Sequence, residues 1–509
     1  MLLKILLSIL SGIIIFLSFP KFNFPFLAWV GFVPLLIAVQ NTRLKFSILL
    51  TLVTGLTANG CIYYWVIITC LADGRSIIFG VFVWLLLVIY LSLYFGIFGA
   101  ILRLLNTYIS KGGNTFLFIF GIVTSWVTLE FMRAHLFSGF PWMLLGHSQW
   151  KNLYTIQSVD IWGVYGISFV IILINTLLFI LLKNISCWKY GLIGLVLVLV
   201  NLLYGINKYE EFESKQSNAE KEIKIALLQG SIDQYKKWDQ KYENEILNTY
   251  WELARTAVNQ GSYIMVWPET AMPYLLNIDN GINKWLNDLI KPTASFHIIG
   301  SMAKEKNGYL NSAFLYNQQG ELISQYDKVH LLPFSETIPF ESYLTEVAPV
   351  LKEFGGFISG KSYEPLKVNN YNLGVTICYE SIFPEIAREL AKQNVDMFIN
   401  ITNDAWFLNT SAPYQHFAMN IFRAVENRIN LARSANTGIS AFISPSGRIE
   451  KSSKIFEKVS LNHTVKIVQK KRTFYTMHGD IFALISMLVS VIIIMLLFRL
   501  QYVNFKKIK

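Results

Sequence analysis

The sequence predicts two parts, a polytopic α-helical membrane domain of about eight transmembrane helices and an extracytoplasmic α/β domain. Only 15% of the 509 residues are charged, against about 25% in an ordinary soluble protein. Apolar residues are concentrated at both ends of the chain, and the region between them alternates between strand-like and helix-like patterns. We therefore expect a membrane domain with seven helices over 1–205, a soluble domain over 206–479, and a last helix with a basic tail over 480–509.

The membrane helices are predicted from long apolar runs, since crossing a hydrocarbon core of about 30 Å takes about 20 apolar residues. The runs lie at roughly 4–20, 25–40, 47–71, 77–102, 115–132, 161–182, 190–206 and 480–498. So many nearly uncharged runs argue against the helices of a soluble core. The first run begins like a signal peptide, with Lys4 before an apolar stretch, but no small-residue cleavage site follows it. We expect it to remain as a membrane helix.

The orientation of the helices is predicted from the distribution of Lys and Arg. With a cytoplasmic N-terminus, the cytoplasmic segments hold eleven basic residues and the short outer segments hold four, as the positive-inside rule requires. The cytoplasmic set is Lys4, Arg43, Lys45, Arg103, Lys111, Lys183, Lys189, Arg499, Lys506, Lys507 and Lys509, and the outer set is Lys21, Arg75, Arg133 and Lys151. The large middle region then lies outside the cytoplasm.

The net charge of +11 is explained by this topology. Residues 1–205 and 481–509 together carry 15 basic and 3 acidic residues, whereas residues 206–480 carry 29 basic and 30 acidic residues. A basic surface suited to nucleic acid needs clustered positive charge, and this balance gives no sign of one. We expect no nucleic-acid partner.

The middle region is predicted to be a layered α/β domain. Short apolar stretches bounded by turn residues predict strands, and helical spacing of apolar residues predicts helices. The strands are "IKIALLQG", "YIMVWPE", "FHIIGS", "NSAFLYN", "LGVTICYE" and "VDMFINITND", and the helices are 240–259, "FPEIARELAKQ" and the stretch after Pro413. Alternation of this kind is typical of sheets covered by helices.

Reactive side chains stand at three predicted strand ends: Glu269 in "VWPET", Lys328 and Glu336 in "YDKVHLLPFSETIPF", and Cys378 in "VTICYES". Sites in α/β domains gather at strand ends. A thiol nucleophile needs a base, which Glu269 offers, and an oxyanion needs positive charge or N–H donors, which Lys328 and the Tyr379 backbone offer. Taken singly, each has a plainer interpretation: an inert buried thiol, solvated Lys and Glu side chains, or a helix cap at Glu269.

The ordered motifs "WPE", "DKVHLLPFSETIPF", "GVTICYES" and "NITNDAWF" resemble the nitrilase (carbon–nitrogen hydrolase) superfamily. Together with the membrane pattern and "SGFPWMLLGHSQW" at 138–150, they resemble the apolipoprotein N-acyltransferase family. The resemblance implies an αββα sandwich with Cys378 as nucleophile, Glu269 as general base and Lys328 as stabiliser of the oxyanion. The residues that it implies in supporting or substrate-binding roles are Glu336, Tyr379, Glu380, Trp238, Trp406 and Phe407.

The activity implied by this resemblance is acyl transfer in the bacterial inner membrane, with the catalytic domain on the periplasmic side. An acyl chain passes from a phospholipid, with phosphatidylethanolamine expected, to the α-amino group of the N-terminal diacylglyceryl-cysteine of a lipoprotein. A Cys378 thioester is the intermediate of this ping-pong reaction, and no cofactor is implied. Two alternatives stay open: a membrane-anchored amidase of the same superfamily, and an inactive scaffold that binds lipoproteins.

Other polar residues need separate interpretation. Glu130 and Arg133 are three apart on one face of the fifth run, which favours a local ion pair, although with His135 and His147 they could contact a phospholipid head group. The seven His residues show no spacing such as HExxH, so no metal site is predicted.

Overall fold

The computed structural model describes residues 1–338, 356–468 and 471–506, with side chains described up to residue 500. Pro339 and Phe340 of the "SETIPF" motif lie outside the described residues, as do Lys470, Lys507 and Lys509. The chain forms two compact units. The membrane unit comprises Met1–Tyr209, Thr410–Ala418 and His478–Lys509, and the α/β unit comprises Glu210–Asn409 and Met419–Met477.

Apolar helices make up most of the membrane unit. They are α1 Leu2–Leu17, α2 Val33–Ala38, α3 Leu44–Ile62, α4 Trp65–Ala72, α5 Ile77–Ser110, α6 Thr115–His135, α7 Leu153–Ile156, α8 Val159–Lys183 and α9 Trp188–Ser217. Six helices of the described chain, including one that begins at Ile481, are long and apolar enough to cross a membrane. The predicted membrane domain is thereby confirmed, although six helices of the described residues meet these criteria and about eight were predicted.

The first two predicted spans are shorter than the sequence suggested. Helix α1 has 16 residues, and the run at 25–40 forms a 3₁₀ turn, Pro25–Trp29, followed by the six-residue α2. Proline explains the division, because it lacks an N–H and is best tolerated in the first turn of a helix. Pro25 and Pro34 both occupy such positions.

The predicted run at 47–71 is two helices, α3 and α4, separated at Tyr63 and Tyr64. Tyr63 leaves the helical backbone conformation, with φ −106° and ψ 16°, and its hydroxyl donates to the carbonyl of Trp142 at 2.8 Å. The break therefore coincides with a tertiary hydrogen bond that apolar periodicity does not reveal.

Glu130 and Arg133 do not form the predicted ion pair within the described part of the chain. Glu130 Oε1 accepts a hydrogen bond from the Leu145 backbone N–H at 2.7 Å, and Arg133 Nη2 donates to the Trp142 carbonyl at 3.2 Å. Both side chains are buried. Buried backbone groups need partners, and here the two charged side chains of α6 supply them to the segment at 138–150.

The α/β unit contains thirteen described strands in two sheets. They are β1 Glu222–Gln229, β2 Ile264–Val266, β3 Met272–Leu275, β4 Phe296–Glu305, β5 Gly308–Tyr316, β6 Leu322–Asp327, β7 Leu366–Val368, β8 Tyr371–Ile377, β9 Met397–Thr402, β10 Asn430–Ala435, β11 Ala441–Ile443, β12 Ile449–Ser452 and β13 Val459–Lys466. The first sheet has the order β13-β1-β2-β4-β5-β6, with β3 paired to β4, and the second has the order β12-β11-β10-β9-β8-β7.

The remaining helices are α10 Gln234–Lys237, α11 Glu243–Asn259, α12 Asn280–Thr293, α13 Pro384–Lys392, α14 Ala412–Asn427, α15 Phe474–His478 and α16 Ile481–Lys506. Side chains alternate between the two faces of a strand. In β1, Ile223, Ile225 and Leu227 point into a core shared by both sheets, whereas Ala226 and Leu228 join the core beneath α11 and α12.

The second sheet is covered on its outer face by α13. The buried side chains of α13 include Ile386, Ala387 and Leu390, and a Cβ added at Gly374 of β8 would lie 3.3 Å from the Leu390 Cβ. Full burial of a Leu or Ile side chain contributes about 1.5–3 kcal/mol each. The layers run helix, sheet, sheet, helix, so the predicted αββα sandwich is confirmed.

Candidate active site

Cys378 lies at a sharp turn directly after β8. Its φ is +51°, in the left-handed region that residues with a side chain seldom adopt. The chain then continues as a 3₁₀ helix, Cys378–Ile382. The thiol is partly buried against the core between the sheets. The turn therefore presents the sulfur at the carboxyl end of a buried strand, as the sequence predicted.

Glu269 follows β2 and is held there by close backbone packing. Trp267 is fully buried, and its Nε1 donates to Nδ1 of His297 at 3.1 Å. A Cβ at Gly300 of β4 would lie 2.7 Å from Glu269 Cα, so β4 can approach this closely only with glycine. The next element is β3 and not a helix. The helix-cap interpretation of Glu269 is therefore wrong.

Glu269 is buried, with 7% of the residue exposed, and its carboxylate has four polar neighbours. Its Oε1 accepts a hydrogen bond from Asn311 Nδ2 at 2.7 Å, and its Oε2 accepts one from the Asn403 backbone N–H at 2.9 Å. Lys328 Nζ lies 3.8 Å from Oε1. The carboxylate also forms a hydrogen bond with the Cys378 side chain. The structure thus brings together Glu269, Lys328 and Cys378, the three residues that the sequence predicted to act together.

Lys328 is paired more closely with Glu336 than with Glu269. Its Nζ lies 2.7 Å from Glu336 Oε2 and 2.9 Å from Glu336 Oε1, and the lysine is 1% exposed. Asn311 Nδ2 also donates to Glu336 at 2.9 Å. Lys328 and Glu336 are therefore not solvated surface groups. They belong to a buried network of two carboxylates, one ammonium and one amide.

The burial and charges of this network shift its pKa values in different directions. Loss of hydration and the Glu269 carboxylate raise the pKa of Cys378, and loss of hydration raises the pKa of Glu269. The Lys328 ammonium holds the pKa of Glu336 below its usual range despite burial. The pKa of Lys328 is raised because the carboxylates of Glu336 and Glu269 outweigh the loss of hydration.

These directions define the charge state of the resting network. Cys378 is a neutral thiol at pH 7, and Lys328 is an ammonium held by an ionised Glu336. A thiol beside a carboxylate of raised pKa suits proton transfer, because such a carboxylate is a better proton acceptor. The fixed Lys328 ammonium, 3.8 Å from Glu269, suits stabilisation of negative charge on a reacting oxygen. The arrangement can therefore support nucleophilic acyl chemistry.

Comparison with known families covers both units. Residues 11–177 match the model of the apolipoprotein N-acyltransferase N-terminal domain, and residues 224–462 match the carbon–nitrogen hydrolase model. The apolipoprotein N-acyltransferase of Geobacter metallireducens is 36% identical over 98% of this chain and 96% of its own. The chain belongs to the apolipoprotein N-acyltransferase family.

Other members of the apolipoprotein N-acyltransferase family align along most of their length. The enzyme of Wigglesworthia glossinidia brevipalpis is 31% identical over 88% of this chain and 89% of its own, and that of Pasteurella multocida is 29% identical over 93% and 91%. Among solved structures, an amidase from Nesterenkonia sp. aligns with 51% of this chain and 94% of its own, at 21% identity and a TM-score of 0.37.

Glu380, two residues after the thiol, ties together two segments of the site. It is fully buried and accepts hydrogen bonds from the hydroxyl of Tyr326 at 3.0 Å and from the backbone N–H groups of Val329 at 2.8 Å and Ile377 at 2.8 Å. It therefore links the end of β8 to the segment that begins at Lys328. Burial raises the pKa of this carboxyl to about 7, and the backbone donors oppose the shift.

The predicted aromatic residues lie in the segments that follow β1, β8 and β9. Tyr379 is 5% exposed, and its ring packs at 77° against Phe383 with centroids 5.0 Å apart. Trp238, next to α10, is 50% exposed. Trp406 and Phe407 lie in a 3₁₀ helix, Asp404–Phe407. The family resemblance suggested these residues, and their contact with substrate stays a prediction.

Several residues that position the site were missed in the sequence. Asn311 and Asn403 bind Glu269, and Asp404 pairs with Arg433 at 2.8 Å, with both side chains fully buried. Each follows or lies within a strand, but an isolated Asn or Asp gives no pattern that distinguishes it from a turn residue. Within the described residues, no group of three or more His, Cys, Asp or Glu is arranged to hold a metal ion.

Proposed function

We propose that this chain transfers an acyl chain from a membrane phospholipid to the α-amino group of an N-terminal diacylglyceryl-cysteine, through a thioester on Cys378. Membership in the family makes it an acyltransferase that acts on apolipoproteins. The observation that carries the mechanism is the hydrogen bond between the Cys378 side chain and the Glu269 carboxylate. Oε1 of that carboxylate lies 3.8 Å from Lys328 Nζ. Phosphatidylethanolamine is the acyl donor that we propose.

The first half-reaction forms the thioester. Glu269 accepts the thiol proton while the Cys378 sulfur attacks the ester carbonyl carbon of the phospholipid, and negative charge develops on the carbonyl oxygen. The Lys328 ammonium and the Tyr379 backbone N–H stabilise that charge. The ester C–O bond then breaks, and Glu269 returns the proton to the departing oxygen. The products are a lysophospholipid and the acyl-enzyme.

The second half-reaction transfers the acyl group to nitrogen. The α-amine of the acceptor attacks the thioester carbonyl carbon, the C–S bond breaks, and Glu269 carries a proton from the amine to the Cys378 sulfur. An amide forms and the free thiol is restored, so one residue serves as base and then as acid in both halves. Trp238, Trp406 and Phe407 supply apolar surface that we assign to acyl-chain contact and to exclusion of water from the thioester.

Glu336 and Glu380 have supporting roles in this proposal. Glu336 holds Lys328 at 2.7 Å, which keeps the ammonium charged and oriented. Glu380 fixes the backbone directly after Lys328 and directly before Cys378. Neither carboxylate needs to exchange a proton during turnover.

We also propose that the chain lies in the bacterial inner membrane with the α/β unit on the periplasmic side. The support is the excess of Lys and Arg in the segments assigned to the cytoplasm, eleven against four, as the positive-inside rule requires. Both substrates are anchored in a bilayer, so a membrane-embedded enzyme meets them within one surface.

Intact-protein mass spectrometry after incubation with phosphatidylethanolamine tests the function. The full-length protein should gain the mass of one fatty acyl group, and diacylglyceryl-peptide should remove it. Cys378→Ala should gain none. An amidase would release ammonia from a small amide and leave no fatty acyl adduct, and a Cys378→Ala protein that still matures lipoproteins would support the scaffold alternative.

A further inference from the structure

Lys237, the last residue of α10, is a buried lysine for which the reaction as described gives no role. It is 1% exposed, whereas Trp238 beside it is 50% exposed. Its Nζ has no hydrogen-bond partner among the residues that the structure describes. Lysine is almost never fully buried unless it is paired, and an unpaired buried charge is costly.

The helix that carries Lys237 is connected to Glu269 through Asn403. Gln234 Oε1, at the other end of α10, accepts a hydrogen bond from Asn403 Nδ2 at 2.7 Å. The backbone N–H of Asn403 donates to Glu269 Oε2 at 2.9 Å. Helix α10 is thus two hydrogen bonds away from the carboxylate.

The charge of Lys237 is coupled to that same carboxylate. Burial lowers the pKa of Lys237 and Glu269 raises it, with the result at about 8. At pH 7 the ammonium is therefore the major form. Glu269 is the charged group that acts on this lysine.

The cation nearest to Glu269, Lys328, is shared with a second carboxylate. Lys328 lies 2.7 Å from Glu336 but 3.8 Å from Glu269, and the donors that contact Glu269 directly, Asn311 and the Asn403 backbone, are neutral. Burial raises the pKa of Glu269 most, the Lys328 ammonium lowers it, the Glu336 carboxylate raises it, and hydrogen bonds from Asn311 and Cys378 lower it. Two buried carboxylates thus share one ammonium that is closer to Glu336.

We propose that Lys237 is a positioning residue that supplies a second positive charge to Glu269 and keeps its carboxylate ionised to accept the Cys378 proton. This inference rests on the proposed role of Glu269 as the base. Lys237 neither touches the substrate nor exchanges a proton in the cycle. An opposite charge nearby stabilises the ionised form of a carboxyl, so loss of the ammonium makes Glu269 protonate at higher pH.

The pH dependence of acyl-enzyme formation tests this inference. Single-turnover acylation by phosphatidylethanolamine is followed by intact mass across about pH 5 to 9 for the full-length protein. In Lys237→Met, the pH at which the acylation rate falls on acidification should rise by about one pH unit. At a fixed pH on this acidic limb the rate should therefore fall about tenfold, while the plateau rate at high pH should change less. Lys237→Arg keeps the charge and should restore the limb.

Lys236→Met is the matched control, because Lys236 is the preceding residue of α10 and forms an exposed ion pair with Glu245 at 3.3 Å. Its profile should equal that of the unmodified protein. A Lys237→Met protein with the unmodified limb overturns the inference, whatever its plateau rate. If that variant does not fold, Lys237→Gln is judged by the same criterion.

Failure of the proposed function would be recognised separately. Absence of any acyl adduct on the unmodified protein would refute the proposed function. An unchanged acylation rate in Glu269→Gln would refute the role of Glu269 as the base, and in both experiments Lys237 is intact. If the acyl-enzyme forms normally and its formation depends on Glu269, but the acidic limb is unchanged in Lys237→Met, only the role proposed for Lys237 is refuted.

Discussion

Asn311 Nδ2 donates a hydrogen bond to Glu269 Oε1 at 2.7 Å. The same nitrogen donates to Glu336 at 2.9 Å, so one neutral amide holds two buried carboxylates in a fixed relation. The amide contributes no net charge, and Lys328 therefore remains the cation in direct contact with this pair. The geometry of the site thus depends on a side chain that performs no chemistry.

Replacement of Asn311 by Asp should be strongly destabilising. The change puts a third carboxylate against Glu269 and Glu336, and removes a donor to both. Loss of a partner to a buried charged group costs about 1–3 kcal/mol or more. We expect a lower melting temperature and little acyl-enzyme. Asn307→Asp is the control, because Asn307 lies exposed in the turn before Gly308, where Asp-Gly is also favoured.

Cys378→Ser should abolish the acyl adduct without unfolding the protein. The hydroxyl is nearly isosteric with the partly exposed thiol, so the free energy of unfolding should change by less than about 1 kcal/mol. Intact mass after incubation with phospholipid measures the adduct. Cys187→Ser, which alters a cysteine of the membrane unit, should acylate normally. Full turnover by the Cys378→Ser protein would rule out the thioester.

Glu269→Gln should slow acylation by roughly 10²–10⁴-fold, the usual contribution of a positioned general base. The amide keeps the shape of the side chain but removes the proton acceptor. Binding of phospholipid should change far less than the acylation rate. A variant that melts early and yet acylates at the unmodified rate would leave Glu269 with a structural role alone.

The acylation rate should also depend on the ionisation of Glu269. Because burial raises its pKa, the base is lost on acidification at a pH above that of an ordinary glutamate. We expect the acidic limb of the single-turnover profile to lie above about pH 4.3, the usual glutamate value. A limb at or below that value would contradict the raised pKa.

Glu380→Gln should alter the pH dependence of stability. The pKa of Glu380 in the folded protein is about 7, above the unfolded value of about 4.3. Between these values the folded state holds a proton that the unfolded state releases, so the contribution of this carboxyl to the free energy of unfolding falls as pH rises.

The Glu380→Gln protein should therefore lose less stability than the unmodified protein between about pH 4 and 7. At pH 5 it should be less stable by about 1–3 kcal/mol, because an amide cannot satisfy all of the surrounding donors. Glu364→Gln is the control, since Glu364 is exposed. Parallel stability curves for the unmodified and Glu380→Gln proteins would refute the assignment of the titration to Glu380.

The proposed topology predicts which side of the membrane each part can be labelled from. In a chain whose four cysteines are replaced by serine, a membrane-impermeant thiol reagent should reach Glu364→Cys from outside spheroplasts. Lys507→Cys, in the basic tail, should react only after the cells are opened. Labelling of Glu364→Cys only in opened cells would reverse the proposed orientation.

The sequence alone determined the architecture because the signals for it are local. Apolar runs predict membrane helices, and short apolar stretches bounded by turn residues, such as 222–229, predict the strands of a buried sheet. Glu269, Lys328 and Cys378 could be selected since each follows a predicted strand, and since the four ordered motifs around them are specific to a known superfamily.

Proline positions and tertiary hydrogen bonds determine features of the fold that the apolar runs in the sequence do not predict. The run at 25–40 has the composition of a membrane helix, yet it is divided because Pro25 and Pro34 each lie in the first turn of a separate helical segment. Strand β10 is fully buried, although half of its residues, including Arg433 and Ser434, are polar. The Asp404 carboxylate pairs with Arg433 there, and such pairing is visible only in three dimensions.

The tertiary structure alone also decided the division of charge within the site. In the sequence, Lys328 is followed eight residues later by Glu336, and Glu269 is far away. The fold places Lys328 within hydrogen-bond distance of Glu336 and 3.8 Å from Glu269, with Asn311 bridging the two carboxylates. Spacing along the chain cannot give these distances, because they arise where strands distant in sequence end side by side, and the strength of each charge interaction depends on that distance and on burial.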